Sequence, residues 1–93
     1  MRIDKELYTR IVDENRDTCL TIAMEECAEL IQAISKAKRG KLDRDNLIEE
    51  LADVRNVLDW IVYIFDIDHA EIEEMMEFKV NRCISRFLKG EFK

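Results

Sequence analysis

The 93-residue chain contains no proline and only two glycines, Gly40 and Gly90. A chain so poor in turn formers is mostly helix, broken near Gly40 and ending near Gly90. Histidine is equally scarce, with His69 alone, and the three cysteines (Cys19, Cys27, Cys83) form no CxxC pair. That excludes a zinc site of ordinary spacing and leaves the cysteines as small buried thiols in a reducing cytoplasm. Long apolar runs are missing too. The longest, WIVYIF from Trp60 to Phe65, is far too short to span a bilayer. The opening MRIDKELYTR has no apolar core suited to a signal peptide. A cytoplasmic protein with no membrane partner is expected.

Basic charge is also in deficit. Lys and Arg number 15 against 21 Asp and Glu, for a net charge of −6. This argues against general nucleic-acid binding, which needs a basic footprint. It leaves open a small phosphorylated ligand held through metal ions.

What is present suits one domain over residues 1–93, with 47% hydrophobic residues. A domain this small buries about 60–65% of its unfolded-chain surface, so stability is expected to lean on self-association. Four helical segments account for the pattern. The first runs over 4–15 and the second over 17–39, with Asp17 as N-cap; the weak break at NRDT leaves open whether they are one bent helix. Lys36, Lys38 and Arg39 suit the second helix's C-terminal dipole. A polar loop, GKLDRD, precedes a third helix over 46–65. The fourth begins at DHAE, where Asp68 and Glu71 have the spacing of a capping box, and runs to Lys89. The expected fold is all-α and four-helix-bundle-like, completed by oligomerisation.

The acidic residues are the informative ones. In IAMEECAELIQAI, Glu25, Glu26 and Glu29 stand within one turn of each other, with no basic residue downstream before Lys36. Like charges at this spacing repel by roughly a few tenths of a kcal/mol per pair. Glu26 and Glu29 border the apolar surface, whereas Glu25 lies further towards the polar side. In the third helix, Glu50 and Asp53 sit on a stripe with Leu47, Val54, Val57, Trp60, Ile61 and Ile64. Glu49 points outward.

Two consecutive helices thus each place a carboxylate pair at i, i+3 on or beside an inward face. Four such groups cannot all stay charged without a positive partner. A divalent cation resolves the conflict, and an all-oxygen donor set fits Mg²⁺ or Mn²⁺, with Ca²⁺ a competitor. Taken singly, either pair reads more readily as a solvated groove salt-bridged to Lys79, Arg82 or Arg86. Two matched pairs reverse that preference. On the fourth helix, Met75, Lys79, Arg82 and Arg86 share one stripe, beside an apolar one of Ile72, Met76, Cys83 and Phe87. Lys79 and Arg82 are candidate phosphate-binding cations.

EECAE followed by EELAD resembles the EExxE…ExxD signature of the all-α nucleoside triphosphate pyrophosphohydrolases, in particular small MazG-like proteins. The resemblance extends over residues 21–86, including AELIQAISK, ELADV and the Lys-x-x-Arg of the last helix. It implies a homodimer or homotetramer that splits a nucleoside triphosphate into monophosphate and pyrophosphate with Mg²⁺. It makes Glu26, Glu29, Glu50 and Asp53 the catalytic metal ligands, Glu25 a water-orienting neighbour, and Lys79 and Arg82 the phosphate-binding residues. Trp60 or Tyr63 could stack on a base and Asn56 read its edge, although aromatics on a helix this apolar are more often core or dimer interface.

Two rivals remain at this level. One is an enzyme like phosphoribosyl-ATP pyrophosphatase, a short relative with a similar acidic signature. The other is a non-catalytic metal-binding interaction bundle, which would gain thermal stability with Mg²⁺ and release no pyrophosphate. A di-iron site is disfavoured, because Asp66 and His69 offer a lone DxxH where two Glu-x-x-His pairs are usual.

Overall fold

The computed structural model describes residues 2–92. It contains four helices and, among the described residues, no strand: α1 (Lys5–Glu14), α2 (Arg16–Lys38), α3 (Arg44–Ile64) and α4 (His69–Leu88). The all-α class expected from the scarcity of turn formers is the one that forms.

Helix starts are set by aspartates. Asp4 accepts from the Leu7 N–H at 3.0 Å and Asp43 from the Asn46 N–H at 3.1 Å. Asp68 caps α4 through the Ala70 N–H at 2.9 Å, one residue short of the Glu71 N–H that a capping box would use. The α1–α2 junction resolves into two helices at Asn15, whose backbone (φ −140°, ψ 42°) leaves the helical region. Its side-chain amide donates back to the Ile11 carbonyl at 2.9 Å. Asp17 therefore lies inside the first turn of α2 instead of capping it.

Three helix ends share one solution. After α2, the Gly40 N–H bonds Ala37 O and the Lys41 N–H bonds Lys36 O; after α4, Gly90 and Glu91 repeat the pattern on Phe87 and Arg86. Both glycines have positive φ, 76° and 72°, as this turn requires. After α3 the same pair of bonds runs from Asp66 to Tyr63 and from Ile67 to Val62. Here the left-handed position is filled by Asp66 (φ 51°). A side chain in that conformation costs about 1 kcal/mol. Asp66→Gly is expected to raise the unfolding free energy by up to about that amount, read from urea denaturation midpoints.

Packing centres on the α2–α3 pair, with α1 making smaller contacts to both. Val12, Cys19 and Ile64 form a buried cluster, against which Leu20 and Trp60 pack. Three polar ties hold α1 and the start of α2 to α3. The Trp60 Nε1–H donates to the Tyr8 hydroxyl, the Tyr63 hydroxyl to Asp13 Oδ1 (2.8 Å), and the Arg16 guanidinium to the Ile64 carbonyl (2.6 Å).

Helix α4 departs from expectation. Among the described residues it has no fully buried side chain and no extensive packing against another helix. Its apolar stripe is in the open: Met76 is 60% exposed and Phe87 69%. Cys83 is exposed as well, so of the three thiols only Cys19 is fully buried. Amphipathic spacing specifies that a face seeks cover, without specifying which surface supplies it.

The surface area reflects this. The chain exposes 8157 Å², where a compact protein of its mass exposes about 5,600 Å². Its radius of gyration is 16.6 Å, against about 12 Å for a compact chain of this length.

Candidate metal centre

The short connection between α2 and α3 turns them into an antiparallel hairpin, and this decides which carboxylates meet. The antiparallel arrangement sets Glu26 and Glu29 of α2 against Glu50 and Asp53 of α3. One oxygen from each of the four lies within 4.8 Å of the others. Such a cluster can hold a metal ion. Ala23 and Ala33, about one turn before Glu26 and one turn after Glu29, are both buried on α2.

Burial divides the four. Glu26 and Glu50 are half-buried, while Glu29 and Asp53 are exposed, so the cluster sits in the seam and opens to one side. Burial, followed by the charges of Asp53 and Glu29, a hydrogen bond shared with Asp53, and the charge of Glu50, pushes Glu26 up to about 7 from an ordinary 4.5. Glu50 is also raised, first by burial and then by Glu29, with Asp53 and the neighbouring Glu49 adding to it. No cation offsets these effects. Among the described residues the one ion pair is Arg10–Glu14, well away on α1.

One observation tests whether a cation fits. The Oε2 atoms of Glu26 and of Glu50 are both buried without a hydrogen-bond partner. Buried polar atoms are rarely left so, because desolvation without compensation is costly. Two orphaned acceptors in one seam, with two further carboxylates beside them, suit a hard cation that prefers oxygen donors.

The other sequence candidates fall differently. Glu25 is exposed on α2, outside the four-carboxylate cluster. Lys79 and Arg82 are exposed on α4 and pair with no carboxylate among the described residues, so the chain by itself does not bring them to the cluster. No ion pair between the clustered acids and Lys79, Arg82 or Arg86 forms among the described residues. Asn56 is exposed on α3. Trp60 and Tyr63 are engaged with α1, and the hydrogen bond to Asp13 holds the Tyr63 phenol above its ordinary value. Tyr8 and Asp13, their partners, had no signal in the sequence, since contacts spanning about fifty residues leave no local period. His69 joins no metal-ligating cluster among the described residues. No described helix is long and apolar enough to cross a membrane.

Comparison with curated proteins and with solved structures gave no match. The family model described as the MazG nucleotide pyrophosphohydrolase domain matches residues 14–89. That span takes in the α2–α3 hairpin with all four clustered carboxylates, and the chain belongs to this family.

Proposed function

We propose that the protein is a Mg²⁺-dependent hydrolase that splits a nucleoside or deoxynucleoside triphosphate into its monophosphate and pyrophosphate. The observation that carries the reading is the four-carboxylate cluster, with its two orphaned oxygens, in a chain of this family. Glu26, Glu29, Glu50 and Asp53 would hold the cation. When bound, Mg²⁺ supplies positive charge against the phosphate chain and acidifies the water that attacks the α-phosphorus. One carboxylate of α2, Glu26 or Glu29, takes that water's proton. Glu25 orients the water from the exposed flank.

Lys79 and Arg82 are proposed to bind the phosphate tail. They reach it when α4 packs onto an α2–α3 pair, its own or that of a second copy. A homodimer or homotetramer is supported by the surplus of roughly 2,500 Å² of exposed surface, several times the ~800 Å² per partner of a standard interface. The apolar groove of Leu20, Met24, Cys27, Ala28, Ile31 and Phe65 is the surface to cover.

The test is pyrophosphate release across a panel of ribo- and deoxyribonucleoside triphosphates, with Mg²⁺ and with EDTA. Magnesium-dependent release matched by monophosphate is the expected result. Tight Mg²⁺ binding without release from any member would overturn the hydrolase and leave a binding module. Lys79→Ala is expected to raise the apparent KM about tenfold, as loss of one charge-assisted contact implies, with kcat nearly unchanged. An unchanged KM would remove Lys79 from the site.

A further inference from the structure

We propose that the notch between α1 and α3, centred on Tyr8 and Trp60, receives the base of a nucleotide whose phosphates lie at the carboxylate cluster. This rests on reading the cluster as the phosphate end of the site. The notch is a cavity of about 470 Å³ lined by Tyr8, Val12, Asp59, Trp60, Tyr63 and His69, among others. That volume is within the range of small-molecule sites, and aromatic walls with a few polar groups are their usual composition.

Position links the notch to the cluster. Asp53 and Trp60 are seven residues apart on α3, so they lie on nearly the same face, about 10 Å apart along the axis. This is the reach of a nucleotide from its phosphate chain to its base. Glu29 and Asp53 are the exposed members of the cluster, and Asp53 is the one that shares its helix face with Trp60.

The chemistry of the walls suits a nucleobase. Tyr8 and Trp60, both half-buried, are tilted at 53° with ring centroids 6.3 Å apart, so the base stacks on one ring instead of entering a parallel slot. Stacking of this kind contributes enough to hold a base without sequence-type readout. The polar groups at the rim are uncommitted. Neither Asp59 nor His69 has a side-chain hydrogen bond or ion pair among the described residues. Asp59 is exposed and, as a carboxylate, accepts from the N–H groups of a base edge. The aromatic ties to α1 therefore build the wall against which the base lies.

Trp60 is the sole tryptophan, so the chain gives one indole N–H signal, and that signal reports on the notch. The experiment follows it by NMR during titration with nucleoside monophosphates in EDTA, where neither metal nor turnover is required. The expected result is a saturable shift whose midpoint depends on the base, and ribose 5-phosphate, which lacks a base, produces none. Asp59→Ala, at an exposed position that leaves the fold intact, should raise the midpoint at least fivefold. A shift that ribose 5-phosphate reproduces, or an unchanged midpoint in Asp59→Ala, would overturn the proposal. So would an unmoved signal during Mg²⁺-dependent turnover of triphosphates. A base-dependent shift in a protein that turns over nothing would instead sink the hydrolase reading and keep the notch.

Discussion

Asp53→Asn is expected to lower Mg²⁺-dependent pyrophosphate release about a thousandfold, the equivalent of about 4 kcal/mol in transition-state stabilisation. Asp53 faces Glu26 across the α2–α3 seam and belongs to the exposed side of the cluster, where a phosphate chain would approach. The amide keeps the shape of the side chain, removes its charge and replaces one acceptor oxygen with a donor. Because Asp53 is exposed and stands outside the buried apolar cluster, helical content should stay at the wild-type level. Turnover and circular dichroism measured on the same sample separate the two effects. Near-full activity in this variant, or in Glu29→Gln, would remove the residue from the ligand set.

Glu26→Gln should separate stability from function in the opposite sense. Glu26 titrates at about 7 in the folded protein against 4.5 when unconstrained. Between those values the native state binds the proton and the unfolded state does not. Stability without metal therefore falls as pH rises from about 4.5 to about 7, and the loss is complete above that. Glutamine is neutral throughout. At pH 8 in EDTA the variant is expected to melt about 4–8 °C above wild type, the shift that ~1 kcal/mol produces in a domain of this size. At pH 5, where Glu26 holds its proton, the two melting points should converge. Magnesium reverses the order: at a hundredfold excess over Kd it adds about 2.7 kcal/mol to the wild type. The variant should gain far less. Equal melting temperatures at pH 8 without metal would show that Glu26 is not under strain.

The features legible in the sequence were those governed by local period. The i, i+3 carboxylate pairs on α2 and α3 were visible because seven-residue spacing places Glu26 and Glu29 beside Ile22, Leu30 and Ala33, and Glu50 beside Val57. Gly40 and Gly90 marked two helix ends because their turns need positive φ. The third end was hidden, since Asp66 does a glycine's work there. Nor could the pattern say that α4 would stand clear of α2 and α3. The stripe of Ile72, Met76 and Phe87 records a need for cover and is silent on which surface provides it. Trp60 and Tyr63 illustrate the same limit. Their aromatic character was plain, but their anchoring to Tyr8 and Asp13 is a meeting of segments far apart in the chain.

The dimensions of the cluster bear on how the two central helices are aligned. Its donor oxygens lie within 4.8 Å, less than the 5.4 Å (about one helical turn) by which α3 would move if it slipped one repeat along α2. Hydrophobic stripes tolerate such a slip, because one apolar turn resembles the next. The four acids do not, since a one-turn stagger parts the two pairs. The quartet thus works as a vernier for the hairpin: only one alignment brings its marks together, and any ion it holds locks that alignment in place.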